Sequence, residues 1–405
     1  MNSQILRAGI VLGLLSVIGP FAIDMYLPTL PAISKSLVAD TASVQLSIMS
    51  FMLATAVFTL VYGPVSDMVG RKPPLYAGIL LYVIGALGCA VSPNIGWLVA
   101  FRFVQGVGAC ASFALPRAIV RDNYTGAPAA QLYSLLMLVF SISPILAPSV
   151  GSLVVQFGDW RKIFWVMAFS GVLSLVLAVF GLKETRPVEA RVESSMNAAL
   201  RGYWQLLRDG RFLGLSLIGG FGISSFMAFI GSSSFVYQQH YGLTPTIYSF
   251  AFSINAVGFF GASQMTGFLV RRFGLNKVVR ASVWGFALPM VALFALFLAG
   301  IDSFAVLATL MFVAFTFLGL VLPTTGVLAM EEYGEIAGTA SSLMGTLQTA
   351  AGLVVMWLAG LFYNGTAMPM VVAFAGCATV TLVLTLLTIR GESPPIEGPI
   401  EIPAE

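Results

Sequence analysis

The chain has 405 residues, 58% of them hydrophobic and 9% charged, with a mean hydropathy of +0.93. Soluble domains carry about 25% charged residues, so a chain this apolar has too little polar surface to cover a water-exposed core, and it reads as a polytopic membrane protein. The net charge of +3 comes from basic residues scattered over connecting segments, which leaves no polybasic tract for nucleic acid. Cys89, Cys110 and Cys377 sit in apolar sequence without C-x-x-C spacing, and His240 is the single histidine, so neither a disulfide framework nor a metal site is expected.

In chain order, Arg7 precedes an apolar run with no A-x-A cleavage site, which reads as a retained first helix rather than a signal peptide. Mostly apolar runs fall at about 7–31, 43–63, 74–92, 96–120, 131–156 and 162–182. After a break they resume at about 212–238, 247–270, 277–299, 303–330, 337–363 and 369–389. We number them spans 1 to 12. The expected fold class is an all-α membrane protein of twelve transmembrane helices in two six-helix lobes, residues 1–182 and 212–390.

The polar stretch 183–211 reads as a cytoplasmic linker, whose "SMNAALRGYWQLLRD" portion is expected to form an amphipathic surface helix. Residues 391–405, rich in Pro and Glu, are expected to be disordered. With the N-terminus inside, sixteen of the twenty Lys and Arg, Arg117 among them, count as inner charges. Lys35, Arg161 and Lys162 fall outside, and Arg102 lies within a span. Both termini are therefore placed on the cytoplasmic side. A duplication is also legible. "GPVSDMVGRKP" after span 2 has a counterpart in "GFLVRRFGLNK" after span 8, with Gly63 and Gly70 matching Gly267 and Gly274. Two halves in the same orientation are the parallel repeat of a two-lobed secondary transporter.

Three spans carry polar or helix-bending residues that hydropathy does not require. Span 1 holds Asp24 in "FAIDMYLPTLP", a carboxylate that lipid would make costly, flanked by Pro20, Pro28 and Pro31. Span 4 holds "RFVQGVGACASF". There Arg102 and Gln105 share one helical face, and a dinucleotide reading of its glycines fails because no strand precedes them. Span 5 holds "SPILAPSVG", where Pro144, Pro148 and Gly151 suit a hinge because each proline frees a carbonyl.

The loop "GPVSDMVGRKPP" resembles the hallmark G-x-x-x-D-x-x-G-R-[RK] loop of the major facilitator superfamily, through Gly63, Asp67, Gly70, Arg71 and Lys72. "RFVQGVG" resembles that superfamily's span 4 pattern, and "SPILAPSVG" partly resembles the span 5 motif of its antiporter branches, with Ala147 and Ser152 where glycines are expected. "IDMYLPTLP" looks like the Bcr/CflA branch of drug–proton antiporters, and "DWRKIFW" and "AGTASSLMG" extend the likeness over the whole chain. The resemblance implies a latch in which Asp122 partners Arg71 and holds the inner side closed in the outward-facing state. It also implies a central cavity lined by spans 1 and 4.

Within such a fold, Asp24 lies about 21 Å from the inner edge and Arg102 about 9 Å below the outer one, nearly the same depth in a core of about 30 Å. An Asp24–Arg102 interaction is therefore expected, with Asp24 as proton carrier and Arg102 tuning it by opposing the effect of burial. The expected substrate-binding set is Asp24, Tyr26, Arg102, Gln105, Phe226, Phe229, Asn255, Phe317 and Gln348, an aromatic cavity with few fixed polar groups suited to amphiphilic drugs. The expected function is exchange of small amphiphilic drugs for protons across a bacterial inner membrane by a monomer without cofactor. The alternative is a proton-coupled or facilitative transporter of a small metabolite such as an amino acid or sugar. An enzyme is not expected, since no Ser–His, paired-Asp or H-E-x-x-H arrangement is present, and the absence of G-x-x-x-x-G-K-[ST] disfavours an ATP-driven pump.

Overall fold

The computed structural model describes residues 3–124, 126–186, 196–331, 333 and 336–389. The "EEYGE" connection is described only in part, and Arg191, Arg390 and the tail 391–405 lie outside the described residues. Every regular element among the described residues is helical. Eleven helices among the described residues are long and apolar enough to cross a membrane. Span 8, Pro245–Phe273, is the twelfth: its 29 residues equal spans 2 and 4 in length. It is less apolar because it carries Ser249, Ser253 and Asn255, and two of these three bond across the lobe boundary. Its polarity is therefore buried against protein rather than spent on lipid.

Spans 2 and 4, Thr41–Val69 and Ile95–Asn123, continue past the expected boundaries on the side that carries the Gly63–Pro74 loop. Each starts on a side-chain cap, Asp40 accepting from the Ser43 N–H and Asn94 from the Trp97 N–H. Span 4 thus reaches well beyond Arg117. Within the N-terminal bundle, spans 2, 3 and 4 pack closely, span 1 lies on span 5, and span 6 lies on span 3. In the C-terminal bundle span 7 packs against spans 10, 11 and 12. Spans 2 and 11, and spans 5 and 8, form the most extensive contacts between the two bundles.

The duplication has a backbone signature. Gly70 ends span 2 at φ 99° and Gly274 ends span 8 at φ 83°, each donating its N–H to a carbonyl four residues earlier. Both conformations lie in the left-handed region that a side chain would strain, which fixes glycine at these equivalent corners.

The linker helix Met196–Leu207 forms where the sequence places it. Leu206 is fully buried, and Gly202 rests against Thr339 at the start of span 11. Trp204 and Leu200 stay exposed on the other side, with the Arg208 guanidinium stacked on the Trp204 ring. One face meets protein and the other carries the aromatic and cationic groups of an interfacial helix.

Candidate functional site

Span 1 breaks directly after Asp24. The α-helix Ser3–Asp24 gives way to a 3-10 turn, Leu27–Thr29, and a short helix, Leu30–Ser36. Pro31 has no N–H to offer the Leu27 carbonyl four residues earlier. That carbonyl accepts instead from the Leu30 N–H and, across the lobe boundary, from Ser234 Oγ at 2.7 Å. Gln238 Nε2 donates to the Pro28 carbonyl and Gln45 Nε2 to the Gly231 carbonyl. In the second seam, Ser249 and Ser253 donate to the carbonyls of Pro148 and Ile145. The half of the molecule remote from the Gly63–Pro74 loop is thus stitched shut by side chains bonded to backbone carbonyls.

Asp24 is only 6% exposed and accepts a 3.1 Å hydrogen bond from Ser143 Oγ of span 5. The span 5 motif makes this approach possible. At Gly151 a Cβ would stand 2.1 Å from the Met25 carbonyl oxygen, so any side chain there would push spans 1 and 5 apart. Pro144 and Pro148 flank this contact, and the Pro148 carbonyl is one of those engaged by span 8.

The expected Asp24–Arg102 interaction does not form. Arg102 is fully buried and donates from Nη1 to the Ala22 carbonyl (3.1 Å) and to Gln105 Oε1 (2.8 Å). Its guanidinium lies over the rings of Phe51 and Tyr26, 4.4 and 4.6 Å from their centroids. Tyr26 in turn shares a hydrogen bond with Ser47, and Gln105 reaches Met167 Sδ. Arg102 reaches the Ala22 carbonyl, two residues before Asp24, but rotation about span 1 decides which side chain it meets. Ala22 and Tyr26 lie one helical turn apart on the face toward span 4, whereas Asp24, about 200° from Ala22 around the axis, faces span 5. Arg102 is thus held by carbonyl oxygens and ring faces, and its Nη2 has no hydrogen-bond partner among the described residues.

A cavity of about 900 Å³ opens between the lobes on the side of the Gly63–Pro74 loop. Met52, Thr55, Thr59 and Asp67 of span 2, Phe113 and Arg117 of span 4 and Tyr133 of span 5 form one wall. Met227, Ser342, Thr346 and Thr349 form the other, and Tyr203 of the linker helix closes the rim. Thr346 Oγ1 donates to the Ala56 carbonyl, a contact between the walls.

None of the nine residues expected to bind substrate lines this cavity. Asp24, Tyr26, Arg102 and Gln105 are buried among spans 1, 2, 4, 5 and 6. Phe226 and Phe229 belong to an aromatic cluster with Phe252, Phe259 and Phe315 inside the C-terminal lobe. Phe317 packs at Gly285 between spans 9 and 10, and Gln348 against Gly219 and Thr325. Asn255 turns back to the Ala251 carbonyl. Within the C-terminal bundle the rings of Phe226 and Phe229 pack on other phenylalanines, and Asn255 bonds a carbonyl of its own helix. The cavity wall consists instead of small and hydroxylated residues that hydropathy does not mark. The signal for it was present in "AGTASSLMG", whose Gly338, Thr339, Ser341, Ser342 and Gly345 all line the cavity.

The cationic loop at the mouth is well satisfied. Arg71, 1% exposed, donates to Asp122 at 2.7 Å, pairs with Asp67 at 2.7 Å and bonds Ser66 Oγ. Burial opposes its charge, but Asp122 and Asp67 outweigh it and hold the guanidinium above its ordinary pKa. All these partners belong to the N-terminal lobe. Glu184, just after span 6, completes the cluster by accepting from the N–H groups of Arg71, Lys72, Thr185 and Arg186. Burial pushes its carboxyl up, and the four backbone donors more than offset this, so it lies below its ordinary 4.5. The stability it contributes is therefore fully present above pH 4.5 and is lost as pH falls through the depressed native value. We expect Glu184→Gln to lower the thermal midpoint of the purified chain at neutral pH. The gap from wild type should shrink on acidification, and a gap independent of pH between 3 and 7 would contradict this role.

His240 and Asp302, at the ends of spans 7 and 10, meet through an exposed 2.8 Å contact, and Tyr241 Oη donates to the same carboxylate. The three cysteines are buried and unpaired, and no cluster of potential metal ligands occurs among the described residues.

Comparison with known proteins follows the same lines. The family model of the Major Facilitator Superfamily matches residues 12–356 and again 233–404. The chain is 38% identical to the MFS-type transporter YdgK of Bacillus subtilis over 90% of its own length and 91% of that protein's. It is 29% identical to a bicyclomycin resistance protein homolog of Haemophilus influenzae, covering 92% of this chain and 94% of the other. The multidrug resistance protein MdtL of Klebsiella pneumoniae is 28% identical over 91% and 92%. Among solved structures, a D-xylose–proton symporter superposes with a TM-score of 0.74 over 95% of this chain and 97% of the other, at 17% identity, a likeness of fold. The chain belongs to the major facilitator superfamily, a family of membrane transporters, and its relatives bear out the likeness to the Bcr/CflA branch.

Proposed function

We propose that the protein exports small amphiphilic drugs in exchange for protons across the bacterial inner membrane, as a monomer with both termini in the cytoplasm. The observation that carries this reading is the pairing of one buried, unbridged carboxylate, Asp24, with a separate cavity large enough for a drug-sized molecule. The names of the relatives, a bicyclomycin resistance homolog and a multidrug resistance protein, favour drugs over nutrients as the substrate class. The distribution of Lys and Arg supports a cytoplasmic Gly63–Pro74 loop, and with that orientation this conformation is open to the cytoplasm and sealed outside.

Asp24 stands just beyond the inner cavity. Phe113 lies on the cavity wall and packs against Gly19, little more than a turn before Asp24, and pairs with Phe140, one turn before Ser143. The Phe113–Phe140 plate therefore separates the drug compartment from the carboxylate. In this reading Asp24 takes a proton from outside when the carbonyl-bonded seams part, and releases it inward when substrate displaces the plate. The Arg71 cluster braces the N-terminal lobe as the two lobes rock. Arg102 holds the bend of span 1 to span 4, a positioning role in place of the direct pairing with Asp24.

The reading is tested by expressing the chain in an efflux-deficient bacterium and measuring susceptibility to a panel that includes bicyclomycin, chloramphenicol and a sulfonamide. Protection by the wild-type chain and its loss in Asp24→Asn is the expected result. Equal protection by both, or none from either at matched membrane levels, would overturn it.

A further inference from the structure

Three arginines face the cavity, and two of them are engaged by carboxylates. Asp67 pairs with Arg71 at 2.7 Å and stands 4.0 Å from Arg121. Arg117 is exposed and, among the described residues, has no carboxylate partner. It is positioned nonetheless. Its guanidinium lies 5.1 Å from the centroid of the Phe140 ring, and its carbonyl accepts from Tyr133 Oη at 3.1 Å. It stands six residues before the end of span 4 at Asn123, about 9 Å inside the helix end, where an uncompensated charge faces a cavity by preference.

Phe113 is one helical turn deeper on the same face of span 4, and its ring pairs with Phe140 at 5.7 Å. A fixed cation is thus set beside a tilted aromatic pair whose Phe113 ring lines the cavity, with Thr346 and Thr349 on the opposite wall. That arrangement complements a flat molecule whose anionic group points to the cytoplasm and whose ring stacks inward. We propose that Arg117 is the recognition residue for anionic aromatic amphiphiles, chiefly carboxylates, so that the cavity prefers them over cationic drugs of the same size. This rests on the multidrug reading above and assigns its substrate class.

The test uses the purified full-length chain in detergent micelles and fluorescence polarisation with three dyes: anionic fluorescein, cationic rhodamine 6G and uncharged Nile red. The wild-type chain is expected to bind fluorescein more tightly than rhodamine 6G. Arg117→Gln should weaken fluorescein about tenfold or more while Nile red stays within about twofold, and Arg117→Lys should retain most of the affinity because the charge persists. Retained Nile red binding shows that the variant is folded. Fluorescein affinity unchanged in Arg117→Gln, or weakened equally for all three dyes, would overturn the assignment. Nile red binding without preference for fluorescein in the wild type would overturn only the anion class. Binding of none of the dyes by the wild type would overturn the multidrug reading and this assignment together.

Discussion

Asp24→Asn is expected to abolish uphill drug accumulation in everted vesicles while leaving drug binding in place. Asparagine keeps the shape of the carboxylate and an acceptor for Ser143 Oγ, so the 3.1 Å contact between spans 1 and 5 can persist. What it removes is the ability to load and release a proton. The cavity lies on the other side of the Phe113–Phe140 plate and does not include Asp24, so equilibrium binding of a neutral drug should stay within about threefold. Accumulation driven by an imposed pH gradient should fall to the level of empty vesicles. Continued uphill transport by the variant would assign proton coupling to another group. Since no second acid lies mid-span, that result would remove the mechanism altogether.

The second large effect is expected at Arg71. Its side chain is 1% exposed and is met by Asp122, 9% exposed, and by Asp67. Removing one member of a buried pair leaves the other charge uncompensated, a loss of about 3–5 kcal/mol. Arg71→Leu should therefore lower the thermal unfolding midpoint of the purified chain more than any other single change in the Gly63–Pro74 loop. The double variant Arg71→Leu/Asp122→Asn should recover a substantial part of the loss, because the stranded carboxylate is gone. A double variant less stable than the single one would show that Asp122 is held mainly by its bond from Thr185 rather than by Arg71.

The parts of this protein that were legible in the sequence are those written as long averages or as local motifs. Apolar runs long enough to cross a bilayer located the spans, and only the polar span 8 fell below the hydropathy of its neighbours. The Arg71–Asp122 pair was legible because the loop motif fixes one partner and span 4 ends on the other. Rotation about a helix was not legible. Asp24 and Arg102 were brought to the same depth, but Ala22 and Tyr26 take the face toward Arg102 and Asp24 looks the other way.

Nor was the cavity wall, because a conformation open on one side exposes its small and hydroxylated residues while aromatic ones pack among themselves. Phe226, for example, closes against four other phenylalanines rather than against a drug compartment. Arg117 was not legible as a cavity residue, because a basic residue near the end of a span fits the charge bias of the connections whatever it faces.

In the proposed cycle, drug movement and proton movement are coupled through Asp24. The most direct test is to reconstitute the purified chain in liposomes loaded with a pH-sensitive dye and to add drug without any other driving force. A drug-evoked pH change is expected with the wild-type chain and none with Asp24→Asn at equal incorporation. Drug uptake by the wild type with no accompanying pH change would contradict it.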